Sequence, residues 1–243
     1  CNATPLIENG IIFGCDCRGG QLRGVELATG KRLWETFKPT TGDRRAGHGT
    51  AFIVKNGNRY FLPWSWKQEH GEWFDTAANC FAIAFGLADK EQTDSILDYI
   101  EEHKLDEPYP VRVLHPPIQP GDRDWREYYR TEHELNLPDQ YHNGGVWPWV
   151  GGLYVAALVR AGRLAKAKDA LYRLAQANRL GKKREWEFNE WLHGVTGEPR
   201  GSADQAWSAG MFLYAHRCVK DGREPVFNSI ETSRTQLLHN VHF

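Results

Sequence analysis

The first 62 residues follow the pattern of short β-strands. Apolar and polar positions alternate over residues 22–27, and the pair Asn9-Gly10 lies between two apolar stretches. Gly30 marks a second turn, directly before the apolar pair Leu33-Trp34 and its flanking charges. Alternation with a period of two, interrupted by turns of this composition, is typical of antiparallel hairpins. We therefore predict antiparallel strands in residues 1–62.

From Glu72 onward the apolar positions recur at the spacing of an α-helix. Phe81, Phe85 and Leu87, with small residues between them, predict a tightly buried helix. Asp89 is predicted to cap the amphipathic helix that follows it. Three further helices are predicted over residues 149–160, 165–177 and 203–219.

Buried and amphipathic helices alternate along this part of the chain and are joined by long loops. That alternation is typical of helix hairpins stacked into an α/α toroid. The predicted fold class is therefore mixed, with a short antiparallel β segment followed by an all-α arrangement of helix hairpins. The predicted domains are residues 1–62, residues 63–222 and a tail over residues 223–243.

Charge and hydropathy narrow the class of partner. The chain has 30 Lys and Arg against 31 Asp and Glu, a net charge of −1, and this balance does not suggest nucleic acid or an anionic membrane. The long apolar run over residues 146–159 contains Pro148 and is shorter than the ~20 residues of a membrane span. We expect a neutral small molecule or another protein as partner.

The five cysteines contain no CxxC pair and form no zinc-binding pattern with neighbouring histidines. Their odd number argues against a complete disulfide framework. We predict structural thiols, and we assign no metal site.

The loop over residues 140–149 is rich in groups that could bind a ligand. Tyr141, His142 and Asn143 offer hydrogen-bonding side chains, a glycine pair follows them, and Trp147 adds an aromatic plane. Glycines let the backbone approach a ligand closely, and aromatic planes suit the C–H faces of sugars. The residues alone fit a sugar platform and an ordinary aromatic helix N-terminus equally well.

A second stretch, residues 186–201, places Glu190 among aromatic residues and before a glycine-rich loop. A carboxylate in such surroundings can be held ionised and directed at a water molecule. Glu187 is a competing carboxylate three positions earlier. Without further information, a lone Glu in a loop is most often simply solvated.

Residues 20–35 resemble the repeat of eight-bladed, quinoprotein-like β-propellers, in which a strand, an ATGK turn and a Leu-Trp strand form part of one blade. Residues 52–61, with a turn at Asn56-Gly57, would begin the next blade. A propeller closes only when several blades pack against each other. The segment is therefore predicted to be a partial propeller, and the alternative is a β-hairpin cap on the helical domain.

The later part of the chain resembles (α/α)6-barrel glycoside hydrolases. The run from Phe74 to Tyr214 resembles the amylo-α-1,6-glucosidases of glycogen debranching and the trehalase-like glucosidases, and the loop string Tyr141–Pro148 is similar to that of the neutral and alkaline invertases. The matching strings keep their order and spacing, and they are Phe74-Asp75-Thr76 with Asn79, Gly86-Leu87-Ala88, Tyr141–Pro148, Glu190–Gly201 and Gln205–Ser208. The resemblance implies a partial (α/α)6 toroid and a carbohydrate substrate, with no metal or organic cofactor.

The same resemblance assigns roles to individual residues. It implies inverting hydrolysis of an α-glucosidic bond with Glu190 as the catalytic base. The residues expected to hold sugar hydroxyls or to form the aromatic sides of the site are Tyr141, His142, Asn143, Gln205, Trp147 and Trp207. Two alternatives stay open, namely a sucrose-cleaving invertase and a propeller fragment joined to a helical binding module.

An inverting glycosidase also needs a general acid, ~6.5–9.5 Å from the base. In the resembled enzymes this acid is an Asp earlier in the barrel, and nothing in this sequence matches it. Asp75, Asp122 and Asp124 are available, but each lies at a helix start or in a loop. The predicted helices are also fewer than six pairs. We therefore expect an incomplete site, a nearly inactive isolated chain and an exposed apolar flank.

Overall fold

The computed structural model describes residues 6–8, 10–16, 21–36, 59–63, 65–66, 69–131 and 134–224. The chain divides into two compact units, Cys1–Glu72 and Trp73–Phe243. Within the described ranges no helix is both long and apolar enough to cross a membrane. The predicted domain boundary at residues 62 and 63 and the predicted tail over 223–243 stay predictions.

The first unit contains a four-stranded antiparallel sheet in which each strand pairs with the next along the chain. The strands are β1 (Leu6–Glu8), β2 (Ile11–Asp16), β3 (Gln21–Glu26) and β4 (Arg32–Thr36). Gly10 and Gly30 adopt positive φ values of 75° and 71° in the turns, which glycine does without steric cost. The predicted antiparallel strands and both turns are confirmed. A short hairpin, β5 (Ser65–Trp66) and β6 (Glu69–His70), follows.

A ring contact shapes one face of this sheet. Phe13 and Trp34 lie with their ring centroids 6.1 Å apart. A Cβ at Gly24 would lie 2.5 Å from two atoms of the Trp34 indole, so the missing side chain makes room for that ring. Most of the strand predicted over residues 52–61 lies outside the described residues, and residues 59–61 are not in a strand.

The second unit is mainly helical. Its elements in chain order are β7 (Phe74–Asp75), α1 (Thr76–Ala84), α2 (Lys90–Glu102), β8 (Leu114–His115), α3 (Tyr128–Thr131), α4 (Pro148–Arg160), α5 (Leu164–Arg179), β9 (Trp191–Leu192), β10 (Pro199–Arg200) and α6 (Ala206–Asp221). Only three residues separate α4 from α5, and the two helices pack together, so they form a helix hairpin. The predicted mixed fold, with antiparallel strands followed by helices, is confirmed.

Helix α1 differs from its prediction at its C-terminal end. Asp75 caps its first turn by accepting a hydrogen bond from the Ala78 N–H at 2.9 Å. The helix ends before Gly86, which has a φ of 68°, and both Phe85 and Leu87 are exposed. The prediction that these two side chains are buried is wrong, because Phe85 is the C-cap residue, Leu87 lies beyond the helix, and the buried residues of α1 all precede them.

Polar interactions stabilise the start of α2 and its outer face. Asp89 accepts a hydrogen bond from the Gln92 N–H at 2.8 Å, and the Gln92 side chain accepts one from the Asp89 N–H at 3.0 Å. The predicted cap is confirmed as a capping box. Arg163, just before α5, forms ion pairs with Asp94 at 3.0 Å and Asp98 at 2.7 Å. These ion pairs connect α2 to the hairpin formed by α4 and α5.

Helix α4 lies at the centre of the second unit, and it packs against α1, α5 and α6. Its residues are buried on every side, as the predicted apolar run requires. Gly151 faces the Pro110 carbonyl, and a Cβ there would lie 2.5 Å from that oxygen. A Cβ at Gly152 would lie 2.6 Å from the Met211 carbonyl oxygen of α6. Two glycines therefore allow close contact on both sides of the helix.

Two of the five cysteines have described side chains. Cys80 and Cys218 are both free and buried, and burial raises the pKa of each thiol well above its usual range. Protonated, buried thiols of this kind pack as small apolar groups. This agrees with the prediction of structural thiols for these two residues.

Candidate active site

The loop before α4 folds back on itself through backbone hydrogen bonds. The Asp139 N–H donates to the Asn143 carbonyl at 2.8 Å, and the Asn143 N–H donates to the Gln140 carbonyl at 2.8 Å. Tyr141 has a φ of 43° and Gly144 a φ of 97°. A left-handed conformation at a residue other than glycine persists only where its surroundings enforce it. The loop is thus a defined structure rather than a simple connection.

Asn143 is the side chain that fixes this loop. It is 3% exposed. Its Oδ1 accepts from the Ile118 N–H at 2.7 Å. Its Nδ2 donates to the Ile118 carbonyl at 2.9 Å and to the Asn136 carbonyl at 3.0 Å. The amide was predicted to hold a sugar hydroxyl, and the structure shows it bound to the backbone of neighbouring segments.

Three aromatic rings of the loop pack on one another. His142 stacks on Trp147 with centroids 4.8 Å apart and planes 8° apart, and Tyr141 contacts both rings at 4.1 Å and 5.0 Å. Trp147 is 6% exposed, and its Nε1 donates to the Tyr141 carbonyl at 3.0 Å. Trp147 therefore lies beneath His142, and the exposed surface of the stack belongs to His142.

Glu190 lies at the base of the hairpin formed by β9 and β10. Its N–H donates to the Ser202 carbonyl at 2.8 Å. The Ser202 N–H donates to Glu190 Oε2 at 3.1 Å, the one hydrogen bond to this carboxylate from the described residues. A Cβ at Gly201 would lie 2.5 Å from the same oxygen. The carboxylate is thus oriented by a backbone N–H and by the absence of a side chain beside it.

The Tyr141 loop and the Glu190 hairpin meet. Val146 and Leu192 exchange two backbone hydrogen bonds, each 2.8 Å long, and the Gly194 N–H donates to the Asp139 carbonyl at 2.8 Å. The Tyr141 and Trp191 rings lie 5.9 Å apart.

The charge of Glu190 also reaches His142. Burial lowers the pKa of the His142 imidazole, and the negative charge of Glu190 opposes that shift. The backbone hydrogen bonds between Val146 and Leu192 show that the Tyr141 loop and the Glu190 hairpin contact each other, which agrees with the expectation that they lie at the same end of the helices.

Glu187, the competing carboxylate, has a different environment. It is 4% exposed. Its two oxygens accept hydrogen bonds from the N–H groups of Lys182, Lys183 and Arg184 at 2.8, 2.8 and 3.0 Å. These donors, that of Lys182 first, hold the pKa of the Glu187 carboxyl below its usual range. Glu187 orders the loop after α5.

The last two predicted residues start helix α6. Gln205 is its N-cap residue; its N–H donates to the Phe188 carbonyl at 3.0 Å and its Nε2 donates to the Ala203 carbonyl at 3.1 Å. Trp207 is 50% exposed in the first turn. The hydrogen bond to Phe188 attaches the start of α6 to the chain just before Glu190. The structure describes no contact from Gln205 or Trp207 to the aromatic stack.

The three available aspartates have structural roles. Asp75 caps α1, as described above. Asp122 accepts from the Gln119 N–H at 2.7 Å, and Asp124 pairs with Arg123 at 2.9 Å. No group of three His, Cys, Asp or Glu in the described part of the chain is arranged to hold a metal ion.

One aromatic cluster was missed by the sequence analysis. The Tyr99 hydroxyl and His115 Nδ1 share a hydrogen bond of 3.0 Å, and the rings of Phe74 and His103 pack on Tyr99. Burial, with the neighbouring charges of His103 and Arg112, lowers the pKa of His115 to about 4. The pairing of β7 with β8 brings these residues together, and no local sequence pattern marks them.

Comparison with known proteins shows the relatives of the second unit. The chain is 36% identical over 154 residues to "Probable alkaline/neutral invertase D" of Arabidopsis thaliana, covering 61% of this chain and 27% of that protein. It is 32% identical over 154 residues to "Cytosolic invertase 1" of Oryza sativa subsp. japonica, covering 61% and 26%. The chain thus spans about a quarter of the length of these curated relatives.

A solved structure is also similar. It is the GH63 mannosylglycerate hydrolase of Thermus thermophilus, with a TM-score of 0.47, 16% identity and coverage of 64% of this chain and 34% of that one. The family model that matches is described as alkaline and neutral invertase, and its match covers residues 67–222, well over half of the chain. The chain therefore belongs to the alkaline and neutral invertase family of glycoside hydrolases.

Proposed function

We propose that this chain carries the catalytic-base side of a sucrose-hydrolysing site, with Glu190 as the base. The observation that supports this most directly is the contact between the Glu190 hairpin and the Tyr141 loop, through Val146 and Leu192. Two of the strings that carry the family resemblance are thereby in contact, which supports one shared site. Sucrose replaces the oligo- or polysaccharide with an α-glucosidic bond that the sequence resemblance implied, because the matching family model is that of the invertases.

In the proposed reaction the Glu190 carboxylate removes a proton from a water molecule. The resulting hydroxide forms a bond to the anomeric carbon of the glucosyl unit, and the bond from that carbon to the bridging oxygen breaks. A general acid then protonates the oxygen that leaves with the fructosyl unit. None of the described residues is assigned this acid, so we infer that the whole enzyme supplies it and that the isolated chain is nearly inactive.

The predicted sugar-binding residues divide into two groups in this proposal. Tyr141, His142, Gln205 and Trp207 are proposed to contact the sugar, since His142 and Trp207 expose ring surface. Asn143 and Trp147 are proposed to act indirectly, by holding the loop and supporting His142, because both are buried and hydrogen bonded to backbone carbonyls.

The test uses the whole enzyme that contains this chain, with glucose and fructose release from sucrose as the readout. Glu190→Gln keeps the shape of the side chain and removes the base, so kcat should fall about 10²- to 10⁴-fold with little change in KM. Glu198→Gln is the matched control, because Glu198 lies exposed on the same hairpin and pairs with Arg200. Full activity of Glu190→Gln would place the base elsewhere.

Substrate choice is tested separately. The wild-type enzyme should release glucose from sucrose and should act poorly on maltose and isomaltose. The reverse order of activity would favour the debranching-type glucosidase instead. Sucrose cleavage with retention of anomeric configuration in the released glucose would refute the inverting mechanism.

The quinoprotein-like interpretation of residues 1–62 stays a separate and less supported proposal. A four-stranded antiparallel sheet is the form of a single propeller blade, but the family match begins only at residue 67. Addition of pyrroloquinoline quinone to the protein tests it directly. Absence of a bound chromophore would remove quinone binding as a function of this segment.

A further inference from the structure

A cavity of about 320 Å³ lies between the loop after α5 and the loop before α6. Lys182, Lys183 and Arg184 line it from the first loop, and Gly201 and Asp204 line it from the second. It lies outside the Tyr141 loop, and it has not entered the proposed reaction. Its lining places a buried polar group and several charged side chains around one space, and convergent polar groups can fix the orientation of a bound ligand.

Asn189 lines this cavity and has an unsatisfied acceptor. The side chain is 1% exposed, and its Nδ2 donates to the Leu180 carbonyl at 2.7 Å. Its Oδ1 is buried and accepts no hydrogen bond from any described residue. Buried side-chain oxygens without a donor are uncommon in folded proteins. A ligand hydroxyl in the cavity would supply the missing donor.

The charges around the cavity leave an excess of positive charge. Glu187 accepts three backbone hydrogen bonds and remains an anion, and Asp204 is paired with Arg184. Within the described residues the ammonium groups of Lys182 and Lys183 have no carboxylate partner. The lining therefore combines three cationic with two anionic side chains, and its two lysines are available for an anion.

The cavity also adjoins the candidate base. Gly201 lines it, and a Cβ built on Gly201 would lie 2.5 Å from Glu190 Oε2. One glycine therefore borders both the Glu190 carboxylate and the cavity.

We propose that this cavity is a binding site for an anionic sugar, with Asn189 Oδ1 accepting from a sugar hydroxyl and with Lys182 and Lys183 binding the negatively charged group. The inference rests on the proposed function only in that the neighbouring site takes a sugar. Phosphate and carboxylate substituents share the chemistry that the lysines recognise, and the phosphate is the stronger ligand because of its higher charge.

Isothermal titration calorimetry of the chain with glucose 6-phosphate, glucose and inorganic phosphate tests this site without turnover. Glucose 6-phosphate should bind more tightly than either of the other two. The double variant K182Q/K183Q should weaken its binding about tenfold, since two exposed charge contacts contribute roughly a factor of ten together. K168Q/K220Q is the matched control, because it removes two exposed lysines elsewhere on α5 and α6.

Three outcomes would overturn the proposal. These are no saturable binding of glucose 6-phosphate, equal weakening in both double variants, and binding of inorganic phosphate as tight as that of the sugar phosphate. The last would show an anion site without sugar recognition.

Replacement of glucose 6-phosphate by glucose 6-sulfate separates the effect of charge from that of phosphate geometry and should give weaker binding. If the enzyme hydrolyses sucrose but glucose 6-phosphate does not bind, only the cavity proposal is refuted. If glucose 6-phosphate binds but the enzyme does not hydrolyse sucrose, only the proposed function is refuted.

Discussion

Glu187 and Glu190 stand three residues apart in one loop, and their surroundings differ completely. Glu187 accepts three backbone hydrogen bonds and is almost inaccessible to water. Glu190 accepts one hydrogen bond from the described residues, that of the Ser202 N–H, and lies where the hairpin meets the Tyr141 loop. Glu187 binds the backbone of its own loop, whereas Glu190 keeps lone pairs that can accept a proton from a ligand.

The number of donors is therefore a criterion for telling a structural carboxylate from one that is proposed as a base. A carboxylate that accepts three N–H hydrogen bonds is stabilised as the anion, and it would lose part of that stabilisation by acting on water. Catalytic bases need an accessible oxygen at a defined position. The predictions below test the two roles against each other, from the largest effect to the smallest.

The largest expected effect within this comparison comes from Gly201→Ala in the whole enzyme. The added methyl group would displace the Glu190 carboxylate, and Gly201 has a φ of 68°, which alanine adopts with strain. Misplacement of a catalytic group by about 1 Å can lower the rate about 10²-fold, so kcat for sucrose should fall by that order. Steady-state kinetics measures it.

Gly210→Ala is the control for that variant. Gly210 lies in α6, and a Cβ there meets no atom within 4 Å. This substitution should leave kcat unchanged. Equal loss of activity in both variants would show that the effect of Gly201→Ala is not specific to Glu190.

Glu187→Gln should act on stability rather than on catalysis. The neutral amide offers one oxygen to three N–H groups and places an N–H₂ group against the others, so the melting temperature should fall by several degrees. The activity per folded molecule should be nearly retained. Differential scanning calorimetry gives the first quantity, and kinetics well below the transition gives the second.

Glu185→Gln is the comparison for Glu187, because Glu185 is exposed and pairs with Arg179 at the surface. Its melting temperature should change little. If Glu187→Gln instead abolishes hydrolysis while leaving the melting temperature unchanged, the roles of the two carboxylates are reversed.

The smallest expected effect concerns the pH dependence of stability that arises from His115, away from both carboxylates. The pKa of His115 is lowered to about 4 in the folded chain, against an ordinary value of about 6.5. The unfolded chain therefore binds more protons between these values, so stability should fall as the pH drops from about 6.5 to 4. His115→Gln keeps an acceptor for the Tyr99 hydroxyl and should flatten this dependence slightly.

Urea unfolding at a series of pH values measures the effect of His115→Gln. His216→Gln, at an exposed position of α6, should leave the dependence unchanged. A wild-type stability that stays constant between about pH 6.5 and pH 4 would contradict the role assigned to His115.

The helices could be predicted where their signals are local. The capping residue Asp89 and the apolar run of α4 lie within the elements that they define, and the structure places both as expected. Whether Phe85 and Leu87 are buried or exposed could not be predicted from such local signals. Whether an apolar residue is buried depends on which element packs against it, and the buried residues of α1 all precede these two.

The candidate site was predictable only in part for the same reason. The family strings indicated Glu190 and the Tyr141 loop, and the structure brings them together. The engagement of Asn143 depends on Ile118, 25 residues away in the chain. A hydrogen bond across that distance is decided by the path of the backbone, and no local pattern contains it.

The glycine pair of α4 has a consequence for how the protein can evolve. Gly151 and Gly152 sit one turn after Trp147, and each lies against the backbone of another segment. Any larger residue at Gly152 would push α6 outward, and Gln205 and Trp207 would move with it. The width of the proposed sugar site would therefore depend on the missing side chain of Gly152, so a substitution in the middle of the fold would change it without touching the sugar.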